Sequence, residues 1–300
     1  MRSRSNLLGA ALVLVLGLCA NAQAQIYVTF PTPNTAGKFN FNGSTISNPF
    51  VSSQSGPLGI AINGNDLYIS NVTDDRIRRY DATTGGTIST TFITGLSDPI
   101  GMAFSGGNIY VANSASGTIG VYNATTGVVV NASLVTGLNG DFGLAILGNN
   151  LYVSNSNGTT VGEYNATTGA TINASFITGL DTPAGLAVLG NTLYVVNGGA
   201  SGSVGAYNAT TGVAVAGFSL AGLSSPRSIA ALGNSLYVTD VGNNRVGEYN
   251  ATTGAAINIS LISSASAPYA IAVIPEPSTF ALAILGATLS AAVRRFSRRA

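Results

Sequence analysis

The chain has 300 residues, of which only 8% are charged, against roughly 25% in an average soluble protein. Residues 25–274 hold six basic and ten acidic side chains, a net charge of −4 that is poorly suited to binding nucleic acid. Because there is no histidine, any mechanism that needs an imidazole base, a His-containing triad or a His-ligated metal is excluded.

Residues 1–24 have the pattern of a secretory signal peptide. Arg2 and Arg4 form a basic start, residues 7–18 form an apolar run, and a small-x-small cleavage site ends at Ala24. Cleavage by signal peptidase between Ala24 and Gln25 would also remove the only cysteine of the chain. We therefore expect an exported protein that has no disulfide bond.

Three short apolar segments follow the signal peptide, at residues 26–28, 37–39 and 46–51. Each is bounded by turn-forming residues, which predicts three β-strands. They resemble the second, third and fourth segments of a unit that is repeated downstream.

That unit is marked by the phrase Tyr-Asn-Ala-Thr-Thr-Gly, with one copy that has Asp in place of Asn. The tyrosines of the five copies are Tyr80, Tyr122, Tyr164, Tyr207 and Tyr249, which are 42 or 43 residues apart. Each unit contains four short apolar segments, and the third segment ends at the tyrosine of the phrase. Four antiparallel strands in about 42 residues predict one blade of a β-propeller.

The two ends of the repeat region predict the number of blades. After the fifth unit the chain supplies one further first strand, at residues 270–273, and Tyr27 precedes Tyr68 by 41 residues, which keeps the period. The fold class predicted for residues 25–274 is therefore all-β, a six-bladed β-propeller closed by pairing of the N- and C-terminal strands. We expect the closed ring to be monomeric and to leave no exposed strand edge.

The last residues, 275–300, contain the motif Pro275-Glu276-Pro277, an apolar run at residues 280–293 and a basic end. This order closely resembles the PEP-CTERM sorting signal of Gram-negative bacteria. The resemblance implies that an exosortase recognises the motif and removes the segment after transient anchoring in the inner membrane. The alternative is a short permanent tail anchor, although a 14-residue helix spans only about 21 Å of a roughly 30 Å hydrocarbon core.

Residues 236–249 resemble an NHL repeat, with an apolar strand, Asp240, a Gly-Asn turn and then Arg245-Val. Residues 67–80 are a second match, with Asn71 in place of the aspartate. This resemblance implies a propeller across residues 26–274 and leaves the function open.

Two enzyme families with related propellers lack their functional residues in this chain. SMP-30 and gluconolactonase propellers bind a divalent metal through Asn or Asp just before the glycine that opens an inner strand. The matching positions here hold no metal ligand: they are Leu58, Ile100, Phe142, Ala184, Arg227 and Tyr269. Streptogramin lyases depend on histidine, which is absent, so we expect neither a metal nor a cofactor.

The candidate ligand residues lie on one predicted face of the ring. Five polar residues end the second strands of the five complete units, at Asn71, Asn113, Asn155, Asn197 and Asp240. They predict either a ligand or Ca²⁺ site or, as we favour, repeated closure of the local turns. The loops after these residues are expected to be longer and more varied than the Asn-Ala-Thr-Thr-Gly loops. Phe142, Arg227 and Tyr269 are predicted to line the mouth of the central channel on the same face.

These features predict a non-enzymatic binding or structural module at the cell surface or in the extracellular matrix. An exopolysaccharide or a surface protein is the expected partner. The alternative is a degenerate lactonase-like hydrolase or lyase that uses carboxylates near the blade junctions, at Asp98, Asp141 and Asp181. A lone carboxylate without a partner base or metal is a poor catalyst, which favours the binding module.

Overall fold

The computed structural model describes residues 24–140 and 143–274. Residues 26–273 form one compact unit. The predicted sorting segment and all of the predicted signal peptide except Ala24 lie outside the described residues. No helix in the described part is long and apolar enough to cross a membrane.

The described residues form 24 strands and one short 3-10 turn. The first three strands are β1 (Gln25–Phe30), β2 (Thr35–Asn40) and β3 (Thr45–Val51). Blade 1 comprises β4 (Pro57–Asn63), β5 (Asp66–Asn71), β6 (Arg76–Asp81) and β7 (Thr87–Ile93). Blade 2 comprises β8 (Pro99–Ser105), β9 (Asn108–Asn113), β10 (Thr118–Asn123) and β11 (Val129–Val135).

The remaining blades repeat this pattern. Blade 3 comprises β12 (Leu144–Leu147), β13 (Asn150–Asn155), β14 (Thr160–Asn165) and β15 (Thr171–Ile177). Blade 4 comprises β16 (Pro183–Leu189), β17 (Thr192–Asn197), β18 (Gly202–Asn208) and β19 (Leu220–Leu223). Blade 5 comprises β20 (Pro226–Leu232), β21 (Ser235–Asp240), the 3-10 turn Val241–Asn243, β22 (Arg245–Asn250) and β23 (Ala256–Ser263). The last strand is β24 (Ile271–Ile274).

The strands form six four-stranded sheets, which confirms the six-bladed propeller. Blade 6 has the order β24-β1-β2-β3, so the two ends of the described chain share one sheet. Thr29 N–H donates to the carbonyl of Ala270 (3.0 Å), and Tyr269 N–H donates to the carbonyl of Thr29 (2.9 Å). Closure of the ring by strand pairing is therefore confirmed.

The hydrophobic core lies between adjacent blades. One cluster joins Val196 and Val204 of blade 4 to Leu236 and Val238 of blade 5, and all four side chains are buried. Each sheet therefore stabilises its neighbours through its faces.

The repeated phrase forms the loop between the third and fourth strands. In blade 2 the Oδ1 of Asn123 accepts the backbone N–H groups of Thr125 (3.0 Å) and Thr126 (2.9 Å). Gly127 follows with a φ of +72°, and a Cβ there would also overlap the carbonyl oxygen of Phe92 in the preceding blade. The glycine is thus required both by the turn and by the close approach of two blades.

The same phrase supplies a hydrogen-bond acceptor to the neighbouring blade, a contact that we call the blade latch. A buried tyrosine in the second strand donates its hydroxyl to the alanine carbonyl of the loop in the next blade. The five latches are Tyr27 to Ala82 (2.5 Å), Tyr68 to Ala124 (2.9 Å), Tyr110 to Ala166 (2.9 Å), Tyr152 to Ala209 (2.5 Å) and Tyr194 to Ala251 (2.8 Å).

The sixth interface, between blades 5 and 6, has a different contact. Phe41 replaces the alanine of the phrase and packs edge-on against Tyr237, with ring centroids 5.1 Å apart. The Tyr237 hydroxyl instead lies 3.4 Å from Oε1 of Glu248 in its own blade. Blades 5 and 6 therefore contact each other here through two packed aromatic rings rather than through a latch.

The expectation that the ring leaves no exposed strand edge is wrong. Closure packs the sheets face to face, so the outermost strand of every blade keeps one unpaired edge: these strands are β3, β7, β11, β15, β19 and β23. Irregular pairing interrupts the edges: in blade 2, Val121 pairs with Asn131 and Tyr122 pairs with Val129. Asn131 Oδ1 also accepts the N–H of Ser133 (3.0 Å). Such bulges and side-chain bonds make an edge a poor template for strand addition.

Removing one latch hydroxyl should destabilise the ring. Tyr152→Phe leaves the carbonyl of buried Ala209 without its tyrosine donor, so the free energy of unfolding should fall by about 1–3 kcal/mol. Tyr237→Phe is the matched control, because it changes the same strand position at the interface that has no latch. Urea unfolding of both variants measures the difference, and an equal loss in the two would contradict a stabilising role for the latch.

The tyrosines also predict the response to alkaline pH. Burial raises the pKa of all five latch tyrosines, and burial together with Glu248 raises the pKa of Tyr237 to about 12. A pKa raised in the folded state gives stability that is present below the unfolded value of about 10 and is lost at higher pH. Burial lowers the pKa of Lys38, and this shift makes stability rise with pH. It is the effect of one group, set against the raised pKa values of the tyrosines.

We therefore expect the urea midpoint to fall steadily between about pH 10 and pH 12. Most of the tyrosinate absorbance should appear together with unfolding. Full ionisation near pH 10 in a protein that stays folded would contradict this prediction.

Candidate functional site

The alternation of strand direction gives the ring two different faces. The blade latches and the two-residue turns between first and second strands lie on one face. The other face, which we call the loop face, carries the loops between second and third strands, the junctions between blades and the mouth of the central channel. The loops of the five complete blades are residues 72–75, 114–117, 156–159, 198–201 and 241–244.

The expected difference in loop length is wrong. Each of these loops has four residues, whereas the latch loop of blade 1, for example, covers residues 82–86. The loops do differ in sequence, from Val-Thr-Asp-Asp in blade 1 to Gly-Gly-Ala-Ser in blade 4. Variation on the loop face is therefore in side-chain chemistry rather than in length.

The five polar residues at the ends of the second strands bind the junctions between blades. In four of the five, the side-chain oxygen accepts a backbone N–H from the residue 16 positions earlier. The pairs are Asn71 with Ser55 (2.8 Å), Asn113 with Ser97 (3.4 Å), Asn197 with Asp181 (3.4 Å) and Asp240 with Ser224 (2.7 Å). These oxygens thus bond the junction before the second strand rather than the turn after it, which corrects the turn-closing interpretation for this bond. Asp240 also closes the turn after it, because its Oδ2 accepts a hydrogen bond from Asn243 Nδ2 (2.9 Å).

Asn155 in blade 3 is different from the other four. Its Oδ1 is buried and has no hydrogen-bond partner among the described residues. The junction that it would bind includes residues 141 and 142, which lie outside the described part of the chain. The corresponding oxygens of the other four residues each accept a backbone donor.

The mouth of the central channel holds the other candidate residues. An open cavity of about 130 Å³ is lined there by Leu58, Ile100, Ala184, Arg227 and Tyr269, as the sequence predicts. Phe142, the sixth predicted member, lies outside the described residues. The cavity is smaller than the roughly 300–1,000 Å³ of pockets that enclose drug-sized ligands.

Arg227 differs from the other arginines of the described residues. Arg76 and Arg78 pair with Asp74 (3.2 and 2.6 Å), Arg79 pairs with Asp66 (2.5 Å), and Arg245 pairs with Asp240 (2.7 Å). Arg227 has no carboxylate within 4.0 Å in the described part of the chain, and its guanidinium carbon lies 6.0 Å from the centre of the Tyr269 ring. Arg227 is therefore the one arginine of the described residues without an ion pair, and it lies at the cavity.

The structure also shows buried charges that the sequence analysis missed. Lys38 donates from Nζ to the carbonyls of Ala82 (3.0 Å) and Thr83 (2.9 Å) in the next blade. Glu163 accepts a hydrogen bond from Asn150 (2.7 Å), and burial raises the pKa of its carboxyl. Each residue lies in the third strand of its blade, directly before an aromatic residue: Lys38 before Phe39 in β2, and Glu163 before Tyr164 in β14. The side chain at this position faces the next blade.

No group of three or more acidic or cysteine side chains in the described residues could hold a metal ion. Asp98 and Asp181 lie in different blade junctions, and Asp141 lies outside the described part. The backbone N–H of Asp98 donates to Asp75 Oδ1 (2.8 Å), which joins two loops of the same face. Asp98 and Asp181 are therefore not brought together into one site.

Comparisons with known proteins support the propeller. Residues 73–172, about a third of the chain, match a family model described as outer membrane protein assembly factor BamB. No curated protein matches the chain.

Two of the solved structures that share the fold show how low the sequence identity is. A chain in the crystal structure of a nidogen/laminin complex has 18% identity and a TM-score of 0.69, covering 83% of this chain and 98% of that chain. The computationally designed Ika8 protein has 18% identity and a TM-score of 0.51, covering 82% of this chain and 74% of that chain. At this identity the likeness is one of fold.

A pair of alanine substitutions tests how the blade junctions are held. Asn71 is fully buried and also donates from Nδ2 to the carbonyl of Ile69 (3.1 Å), so Asn71→Ala should cost about 1–3 kcal/mol of stability. Asn155→Ala should cost less, because its Oδ1 accepts no hydrogen bond within the described residues. Thermal and urea unfolding measure both effects, and a larger loss from Asn155→Ala would contradict the assignment.

Proposed function

We propose that the protein is an exported, non-enzymatic binding or structural module that presents its loop face at the cell surface or in the extracellular matrix. The observation that carries this proposal is the contrast between the two faces. The latch face is occupied by contacts between blades, whereas the loop face combines varied loops with a channel mouth where Arg227 has no carboxylate partner in the described chain. Recognition on a repeat scaffold is commonly placed on such a variable face.

Export and sorting are the second part of the proposal. They rest on the signal-peptide pattern ending at Ala24 and on the resemblance of residues 275–300 to a PEP-CTERM signal. Signal peptidase and an exosortase would then act on the chain before it reaches the outer surface. An exopolysaccharide or a surface protein is the proposed partner, and the propeller itself is proposed to be monomeric.

The runner-up function is a degenerate hydrolase or lyase of the lactonase type. The separation of Asp98 and Asp181 into different junctions argues against it, because general acid–base catalysis needs groups within hydrogen-bond reach of one substrate. Metal-dependent turnover of lactones or esters by the purified protein would contradict the non-enzymatic proposal.

A single substitution tests the sorting step. Glu276→Ala disrupts the Pro-Glu-Pro motif, so we expect the variant to keep residues 275–300 and to accumulate in the inner-membrane fraction of a bacterium with an exosortase. The unsubstituted protein should reach the outer surface or the medium without that segment. Thr279→Ala, which leaves the motif intact, is the control.

Mass spectrometry of the two termini gives the result directly. The exported protein should begin at Gln25 and should lack the apolar run at residues 280–293. An exported protein that retains this run, or a Glu276→Ala variant that is processed normally, would contradict sorting by an exosortase.

A further inference from the structure

We propose that the channel mouth binds a small monocarboxylate with a compact apolar body, and that Arg227 holds the carboxylate. This inference rests on the proposed binding function and names its ligand class. The site consists of the Arg227 guanidinium, the Tyr269 ring beside it, and the apolar side chains of Leu58, Ile100 and Ala184.

The lack of an ion pair at Arg227 among the described residues indicates an anionic ligand. The residue is half-buried at the cavity, and it is the one arginine of the described residues without an ion pair. A guanidinium presents a planar fork of donors that matches a carboxylate in a two-pronged contact. The neighbouring aromatic ring is well placed to hold the guanidinium on one side while its donors stay free.

The number of charges indicates a monoanion. Arg227 is the only cationic side chain that lines the cavity among the described residues. The surrounding propeller carries a net charge of −4 over residues 25–274. A phosphate dianion or a polyanionic chain would face this excess with a single compensating cation, whereas one carboxylate is balanced by one guanidinium.

The size and chemistry of the cavity limit the rest of the ligand. Its volume of about 130 Å³ is close to the roughly 150 Å³ of an engineered apolar cavity that binds benzene. Besides Arg227 and Tyr269, Ser228 is the only described lining residue with a polar side chain, and its hydroxyl already accepts the N–H of Ile271 (3.3 Å). The chain has no tryptophan for sugar stacking. An apolar group of about six carbons therefore fits the mouth better than a uronic acid does.

The carboxylate could come from a free acid or from the C-terminus of a peptide, and two arms of one experiment distinguish these sources. The mature propeller is titrated with benzoate and, separately, with acetyl-Ala-Phe as the free acid, and binding is followed by chemical shift changes. The neutral amides of both compounds, benzamide and acetyl-Ala-Phe amide, are the matched ligand controls.

We expect at least one acid to bind ten-fold or more tightly than its amide, because only the acid pairs with Arg227. Arg227→Gln should lose the same factor, while Arg76→Gln, which changes a loop-face arginine that already has a partner, should bind as the unsubstituted protein does. Ala184→Asp places a carboxylate on the blade next to Arg227 and should also abolish binding, although it keeps the arginine.

Equal binding of acid and amide, or undiminished binding by Arg227→Gln, would overturn the proposal. Preference for benzoate identifies a free acid as the source, and preference for the peptide acid identifies a chain terminus. If neither acid binds, the proposal of a carboxylate site is wrong. The wider non-enzymatic proposal is tested separately, by measuring metal-dependent turnover of lactones or esters.

Discussion

The hydroxyl of a buried tyrosine needs a hydrogen-bond partner, and at five of the six blade interfaces of this propeller that partner lies in the next blade. Five tyrosines, from Tyr27 to Tyr194, bind the alanine carbonyl of the neighbouring latch loop. The phrase that supplies this carbonyl also provides the asparagine that closes the turn and the glycine that allows two blades to approach. Because one six-residue segment meets all these requirements, its copies are nearly identical.

The requirements on the latch loop make the two faces of the propeller differ in how freely their residues can vary. The latch face is made of contacts that are repeated at five of the six blade interfaces, so it has little freedom to change. On the loop face, Asn71 and its equivalents fix the blade junctions through backbone hydrogen bonds, which leaves the loop side chains and the channel mouth free to differ. Arg227 has no carboxylate partner in the described residues, and in our proposal it lies at the centre of the binding surface on the loop face.

Features that follow from the repeat period could be predicted from the sequence. The 42-residue spacing and the incomplete units at residues 26–51 and 270–273 were enough to predict six blades and their closure, which the β24-β1 pairing confirms. Contacts that depend on how one blade faces another could not be predicted in this way. The junction partners of Asn71 and Asp240, the burial of Lys38 against Ala82, and the unpaired outer edges all depend on that packing, which no spacing within one unit records.

Hydrogen exchange of the free protein tests most directly whether the latches hold the ring together. Each latch alanine donates its N–H to the two-residue turn of its own blade, while its carbonyl accepts the tyrosine hydroxyl of the preceding blade. The amides that therefore lie directly at the latched interfaces are those of Ala82, Ala124, Ala166, Ala209 and Ala251. We predict that these five exchange slowly and together, and that the interface between Tyr237 and Phe41 opens first. Earlier opening of any latched interface, or equal protection at all six, would contradict the account.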